Sequence, residues 1–163
     1  MSAGQPTPPP SQVQHIFDAI STQLAADLTA CGVTELPTLK LGKKHLYKQT
    51  DRNSIVIWAG RAVISGSTHQ GNNPNHLHTR GQVLYARVWA ADYGPCEVLA
   101  QQLVQAVREV TVGSYKLTGW DAPAGDDDNT RRGEQIVVTF ELSIPIVGWT
   151  LATVTNPSPA LSP

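Results

Sequence analysis

The chain has 163 residues, an apolar share of 40% and a formal net charge of −1, with a pI near 6.5. That length fits one domain of the common class of about 100–200 residues, and without a basic excess the chain is poorly suited to holding nucleic acid through its phosphates. No stretch approaches the ~20 apolar residues of a membrane span. The N-terminus lacks a positively charged segment followed by an apolar run, so a soluble protein made in a cytoplasm is expected.

Both ends are rich in proline. Residues 1–10 include Pro6, Pro8, Pro9 and Pro10, and residues 156–163 include Pro157, Pro159 and Pro163. Neither segment carries enough apolar surface to offset its ordering entropy, so both are expected to be flexible extensions of one folded domain over residues 11–155. The two cysteines, Cys31 and Cys96, fall in helical patterns and read as free thiols that behave as small apolar residues.

In chain order, Val13, Ile16, Phe17, Ile20, Leu24 and Leu28 form one helical stripe, with Gln14, Asp18, Ser21 and Asp27 off it. Ser11 followed by Gln14 has the pattern of a capping box, and Gly32 supplies a left-handed stop. Pro37 breaks any continuation, and Leu39 to Leu41 suits a short strand. The run S-I-V-I-W from Ser54 to Trp58 is β-branched and aromatic, which favours a strand that Ala62 to Ile64 continues or pairs with.

Residues 65–81 have no period and many turn formers, and read as a long loop of the kind that is either functional or disordered. Gln82 to Ala91 is expected to be a central strand, with Leu84, Val88 and Ala90 on one covered face and Val83, Tyr85, Arg87 and Trp89 on another. Pro95 suits the first turn of a second helix, whose apolar stripe is Cys96, Leu99, Ala100, Leu103, Val107 and Val110, ending at Gly113. Tyr115 to Trp120 follows as a strand. Then comes an exposed loop over residues 121–132, and a half-buried strand over residues 134–147 alternates Ile136, Val138, Phe140, Leu142, Ile144 and Ile146 with mostly polar neighbours. The expected fold is α+β, an antiparallel or mixed sheet with two main helices packed on one face.

No catalytic constellation is visible. His69, His76 and His78 share one loop without a carboxylate or thiol to complete a metal set. Asp126, Asp127 and Asp128 lack the spacing of a calcium loop. Facing Arg131 and Arg132 nearby, they read instead as a charge-paired hairpin tip or a subunit contact. Serine-nucleophile and phosphate-loop motifs are missing. No catalytic, cofactor-binding or metal site is therefore expected, and the chain is not read as an enzyme. Four tryptophans among ten aromatic residues exceed the needs of a core this size, and Trp149, beyond the last strand, is a candidate for docking on a neighbour.

The ordered segments carry a resemblance. The helix with H-I-F-D-A-I-S-T-Q-L precedes a short strand and S-I-V-I-W. The strand V-L-Y-A-R-V-W-A-A-D-Y-G leads into the helix C-E-V-L-A-Q-Q-L-V-Q-A-V. G-W-D and an acidic loop then precede R-G-E-Q-I-V-V-T-F-E-L-S-I-P-I. Over residues 12–155 this series resembles the tail terminator family of long-tailed bacteriophages, the tail-completion or tail-to-head joining proteins.

The resemblance implies a virion subunit of a homo-hexameric ring that caps the tail tube, ends its polymerisation and offers a surface to the head. The implied partners are the tail tube protein and a head-tail connector or stopper protein, with DNA crossing the lumen without sequence-specific binding. Ring closure needs two different patches on each subunit, and the strands over 54–64 and 134–147 are candidates for them. The proline-rich start and the long histidine-bearing loop have no counterpart in the family pattern. Two other readings stay open: a different neck component, such as a stopper or head-completion protein, and a small α+β ligand-binding domain using the acidic or the histidine loop.

Overall fold

A computed structural model describes residues 11–46, 53–65, 79–110, 114–121 and 133–145. The chain begins with α1 (Gln12–Ala30), β1 (Thr38–Leu41) and a single 3-10 turn (Lys43–His45). The long strands β2 (Ser54–Ser65) and β3 (Thr79–Ala90) follow, then α2 (Tyr93–Val110), β4 (Ser114–Asp121) and β5 (Glu134–Pro145).

The five strands form one mixed sheet in the order β1-β2-β3-β5-β4. β1 runs parallel to β2, and every other neighbouring pair is antiparallel. The fold is thus α+β with a mixed sheet, as the periodicities indicate. β3 is central because it is hydrogen-bonded on both edges, to β2 and to β5.

The two helices share one core with a single face of the sheet. Ile20, Leu24 and Leu28 of α1 join Cys96, Leu99, Ala100, Leu103, Ala106 and Val107 of α2. Beneath them lie Ile55 and Ile57, then Leu84, Ala86, Val88 and Ala90, and then Ile136, Val138, Phe140 and Leu142. The period-2 alternation of the strands and the 3.6-residue stripes of the helices meet in that layer. Val13, Ile16 and Phe17 pack on its border, half-buried.

Local chemistry sets the helix ends. Ser11 Oγ accepts the Gln14 backbone N–H at 3.2 Å, which satisfies one orphan donor of the first turn. The reciprocal half of the capping box is not made. The Gln14 side chain instead donates to Asp18 one turn on, at 2.9 Å. At the other end Gly32 takes φ +83°, a left-handed stop that a β-carbon disfavours.

Four expectations need correction. Thr79, Arg80 and Gly81 belong to β3 and Ser65 to β2, so the segment read as a loop over 65–81 is shortened by strand at both ends; residues 66–78 lie outside the described residues. Of the edges or faces that the strand over 134–147 was expected to offer for contact, β5 offers no edge, because β3 and β4 pair with it on its two sides. The second face of β3 is only half-buried rather than covered, since no helix packs on it among the described residues. Cys31 caps α1 instead of lying on its buried stripe, and it is exposed.

Candidate assembly interface

The sheet ends in two unlike borders. On one side β1 covers only Ser54 to Ile57 of β2. β2 has twelve residues, so residues 58–65 have no strand on their outer edge among the described residues. On the other side the eight-residue β4 pairs, among the described residues, only with β5. Backbone N–H and C=O groups along such borders are open to another strand. Natural edge strands are commonly guarded by charge or proline; here Val63, Ile64 and Leu117 are 49%, 51% and 42% exposed.

Both borders carry a bulge. Gly60 and Arg61 stand between Ala59 and Ala62 where β3 offers the single residue Val83, and Thr118 is the extra residue between Leu117 and Gly119. A bulge inserts one residue and bends the strand. The β2 bulge is pinned by Gln82, 1% exposed. Its Nε2 donates to the carbonyls of Gly60 at 3.2 Å and Val83 at 2.8 Å. Its Oε1 accepts from Arg80 Nε at 3.1 Å and Nη2 at 2.7 Å. Arg80 Nη1 reaches Gln12 Oε1 at 3.2 Å, tying the bulge region to the start of α1. A buried amide of this kind is tolerated because its donors and acceptor are engaged.

The face of the sheet away from the helices carries the aromatic residues of β2 and β3. Trp58 and Tyr85 stack with ring centroids 5.5 Å apart and planes 22° from parallel. Arg87, on the same face, donates to the Leu46 carbonyl and so holds the 43–46 turn beside Val56, which is 4% exposed. Towards the other end of this face a hollow of about 570 Å³ is lined by Val63, Thr79, Gly81, Lys116, Glu141 and neighbours. Lys116 and Glu141, its charged lining residues, stand opposite each other in the β4–β5 ladder. A smaller apolar cleft of about 190 Å³ runs between α1 and β1, past Leu24, Leu28, Leu36 and Leu39.

Among the described residues no three His, Cys, Asp or Glu side chains converge on a point that could hold a metal. Burial pushes the Cys96 thiol above its ordinary pKa, with backbone hydrogen bonds acting in the other direction and the Glu134 charge adding to the rise. A buried neutral thiol is a packing group rather than a nucleophile. No helix among the described residues is long and apolar enough to cross a membrane.

The residues singled out for subunit contact, Asp126, Asp127, Asp128, Arg131, Arg132 and Trp149, lie outside the described residues, as do His69, His76 and His78. Of the tryptophans, Trp120 packs against the core, whereas Trp58 and Trp89 are half-buried on the other face. The open borders of β2 and β4 are the feature that sequence reasoning missed in part. The sequence offers the strands over 54–64 and 134–147 as candidate contact patches and gives no sign that β4 is a border, because strand order is set by pairings far apart in the chain.

No family model matches this chain, and no curated protein matches it. Among solved structures, a chain described as "Virion of native gene transfer agent (GTA) particle" is similar at a TM-score of 0.37 and 16% identity, over 78% of this chain and 92% of that one. A likeness that distant does not carry a function across.

Proposed function

We propose that this chain is a virion structural protein that assembles into a ring, hexameric as the family resemblance implies. The ring caps a phage tail tube, ends its polymerisation and presents the head-attachment surface. The observation that supports the reading best is that, among the described residues, one sheet has two different open strand borders on its opposite sides, each with exposed apolar surface. Unlike patches on one subunit are what a closed ring of identical subunits needs, because each interface joins patch to counter-patch. In this reading residues 11–155 form the ring domain, and 1–10 and 156–163 are extensions from it. The ring's partners are the tail tube protein and a connector or stopper protein of the neck, and DNA crosses its lumen. The protein resides in the virion after assembly in the host cytoplasm.

The charged segment is a second contact within the same reading. Asp126, Asp127 and Asp128 face Arg131 and Arg132 across, or next to, a subunit boundary, and Trp149 docks on a neighbour. Charge pairs at such a boundary set register, and like charges placed together there are costly. Native mass spectrometry and negative-stain imaging of the full chain test the reading. Closed rings that arrest tube growth in vitro are expected, and Asp127→Lys or Arg131→Glu weakens them in a salt-dependent way. A strict monomer at all concentrations would sink the ring. A ring that leaves tube growth untouched but binds the head portal would place the protein elsewhere in the neck.

A further inference from the structure

We infer that the ring is closed by strand addition: β4 of one copy pairs antiparallel with residues 58–65 of β2 in the next, so that one sheet runs through neighbouring subunits. The occupant of each open border is therefore a second copy of this chain. The inference rests on the ring reading above and specifies the contact that reading leaves open.

Direction comes first. β2, β3, β5 and β4 alternate in direction across the sheet, so β2 and β4 run oppositely. Rotation about a ring axis leaves the direction of a strand along that axis unchanged. A β4 brought beside the β2 of the next copy therefore meets it antiparallel, the better-bonded arrangement. The same rotation keeps the helix layer of both copies on one radial side, as a continuous sheet requires.

Register comes second. With Trp58 opposite Asp121, the pairs that follow are Ala59 with Trp120, Ala62 with Leu117, Val63 with Lys116 and Ile64 with Tyr115. Ala59, Ala62 and Ile64 share the helix-side face of β2, being partners of Leu84, Gln82 and Arg80. Trp120, Leu117 and Tyr115 share that face of β4, being partners of Val138, Phe140 and Leu142. Every pair therefore matches helix side to helix side or far side to far side.

The two bulges also meet in this register, Gly60 and Arg61 against Thr118 and Gly119. A one-residue slip would put every side chain on the wrong face. A two-residue slip would separate the bulges and break the match between them. Two strands with one extra residue each, placed at complementary points, keep step only when those residues face each other.

Burial comes third. Leu117 would lie beside Ala62 and diagonal to Ile64, within reach of cross-strand contact. Among the described residues, the three large apolar side chains exposed at 42% or more on the strands, Val63, Ile64 and Leu117, all fall in this one contact.

Disulfide trapping tests the pairing. Directly opposed residues have Cβ atoms about 4.5–5.5 Å apart, close enough for a disulfide after small adjustment. Within one copy, Val63 and Lys116 stand three strand spacings apart, roughly 14 Å, too far to bridge. In a Cys31→Ser background, the Val63→Cys/Lys116→Cys double variant is expected to give a ladder of covalent multimers on oxidation. An equimolar mixture of the two single variants should give covalent dimers and nothing larger, and each single variant alone should give none. Val98→Cys, on the exposed side of α2 (56% exposed), combined with Lys116→Cys is the control and should give no ladder.

Val63→Cys dimers formed without Lys116→Cys would show like edges pairing and overturn the inference. Rings seen by native mass spectrometry, with no cross-link in the double variant, would overturn the strand pairing and leave the ring standing. A monomer throughout would remove both.

Discussion

Tyr85 lies across Gly60 so closely that a Cβ on Gly60 would sit 2.4 Å from Tyr85 Cε2. The same ring is stacked on Trp58, so withdrawing from Gly60 would disturb that stack. The β2 bulge, the aromatic face of the sheet and the Gln82 hydrogen bonds therefore depend on one another. Gly60→Ala is expected to destabilise the fold by about 1–3 kcal/mol, the usual cost of overpacking. In a Tyr85→Ser background most of that cost should vanish, and the coupling is read from a double-mutant cycle in urea. Equal costs in both backgrounds would show that the bulge backbone, not the ring, demands glycine.

Gln82→Leu removes both donations to the Gly60 and Val83 carbonyls and the acceptor for Arg80. Leucine keeps similar volume but leaves buried polar groups without partners, at a cost of about 1–3 kcal/mol. Thermal unfolding measures it. An unchanged midpoint would mean that water replaces the amide and that the network contributes little.

Leu103, with no exposed surface, sits between the helices and the sheet. Leu103→Ala should cost roughly 2–5 kcal/mol in chemical denaturation. Val98→Ala, on the exposed side of the same helix, should change stability by less than about 0.5 kcal/mol. Similar values for the two would reverse the assignment of helix faces.

The two thiols differ in access. Cys31 is exposed and Cys96 is buried, its Sγ 3.4 Å from the Val88 carbonyl. A thiol reagent should label one cysteine in the native chain and both in denaturant, as mass spectrometry can count. The raised pKa of Cys96 also sets a pH dependence. Above the ordinary thiol pKa the unfolded chain loses a proton that the folded chain keeps, so the stability contribution is full below that value and falls as pH rises. The decline belongs to the alkaline range, and its slope should be shallower in Cys96→Ala. Identical slopes in the two proteins would assign the alkaline loss to other groups.

Local signals in the sequence determined the elements. Ser11 and Gly32 mark the ends of α1, the stripe from Cys96 to Val107 marks α2, and the alternation of Ile136, Val138, Phe140 and Leu142 marks the buried face of β5. Each rests on a repeat of two or 3.6 residues or on a backbone conformation that one residue type favours, so a window of a few residues holds the information. Tertiary structure alone decided which strands lie at the border. The parallel pairing of β1 with part of β2, the insertion of β5 between β3 and β4, and the two bulges arise from contacts between residues far apart in sequence. No local window records whether a strand will find a second neighbour. Val63, Ile64 and Leu117 look like ordinary strand residues in the sequence, and only the completed sheet leaves them exposed.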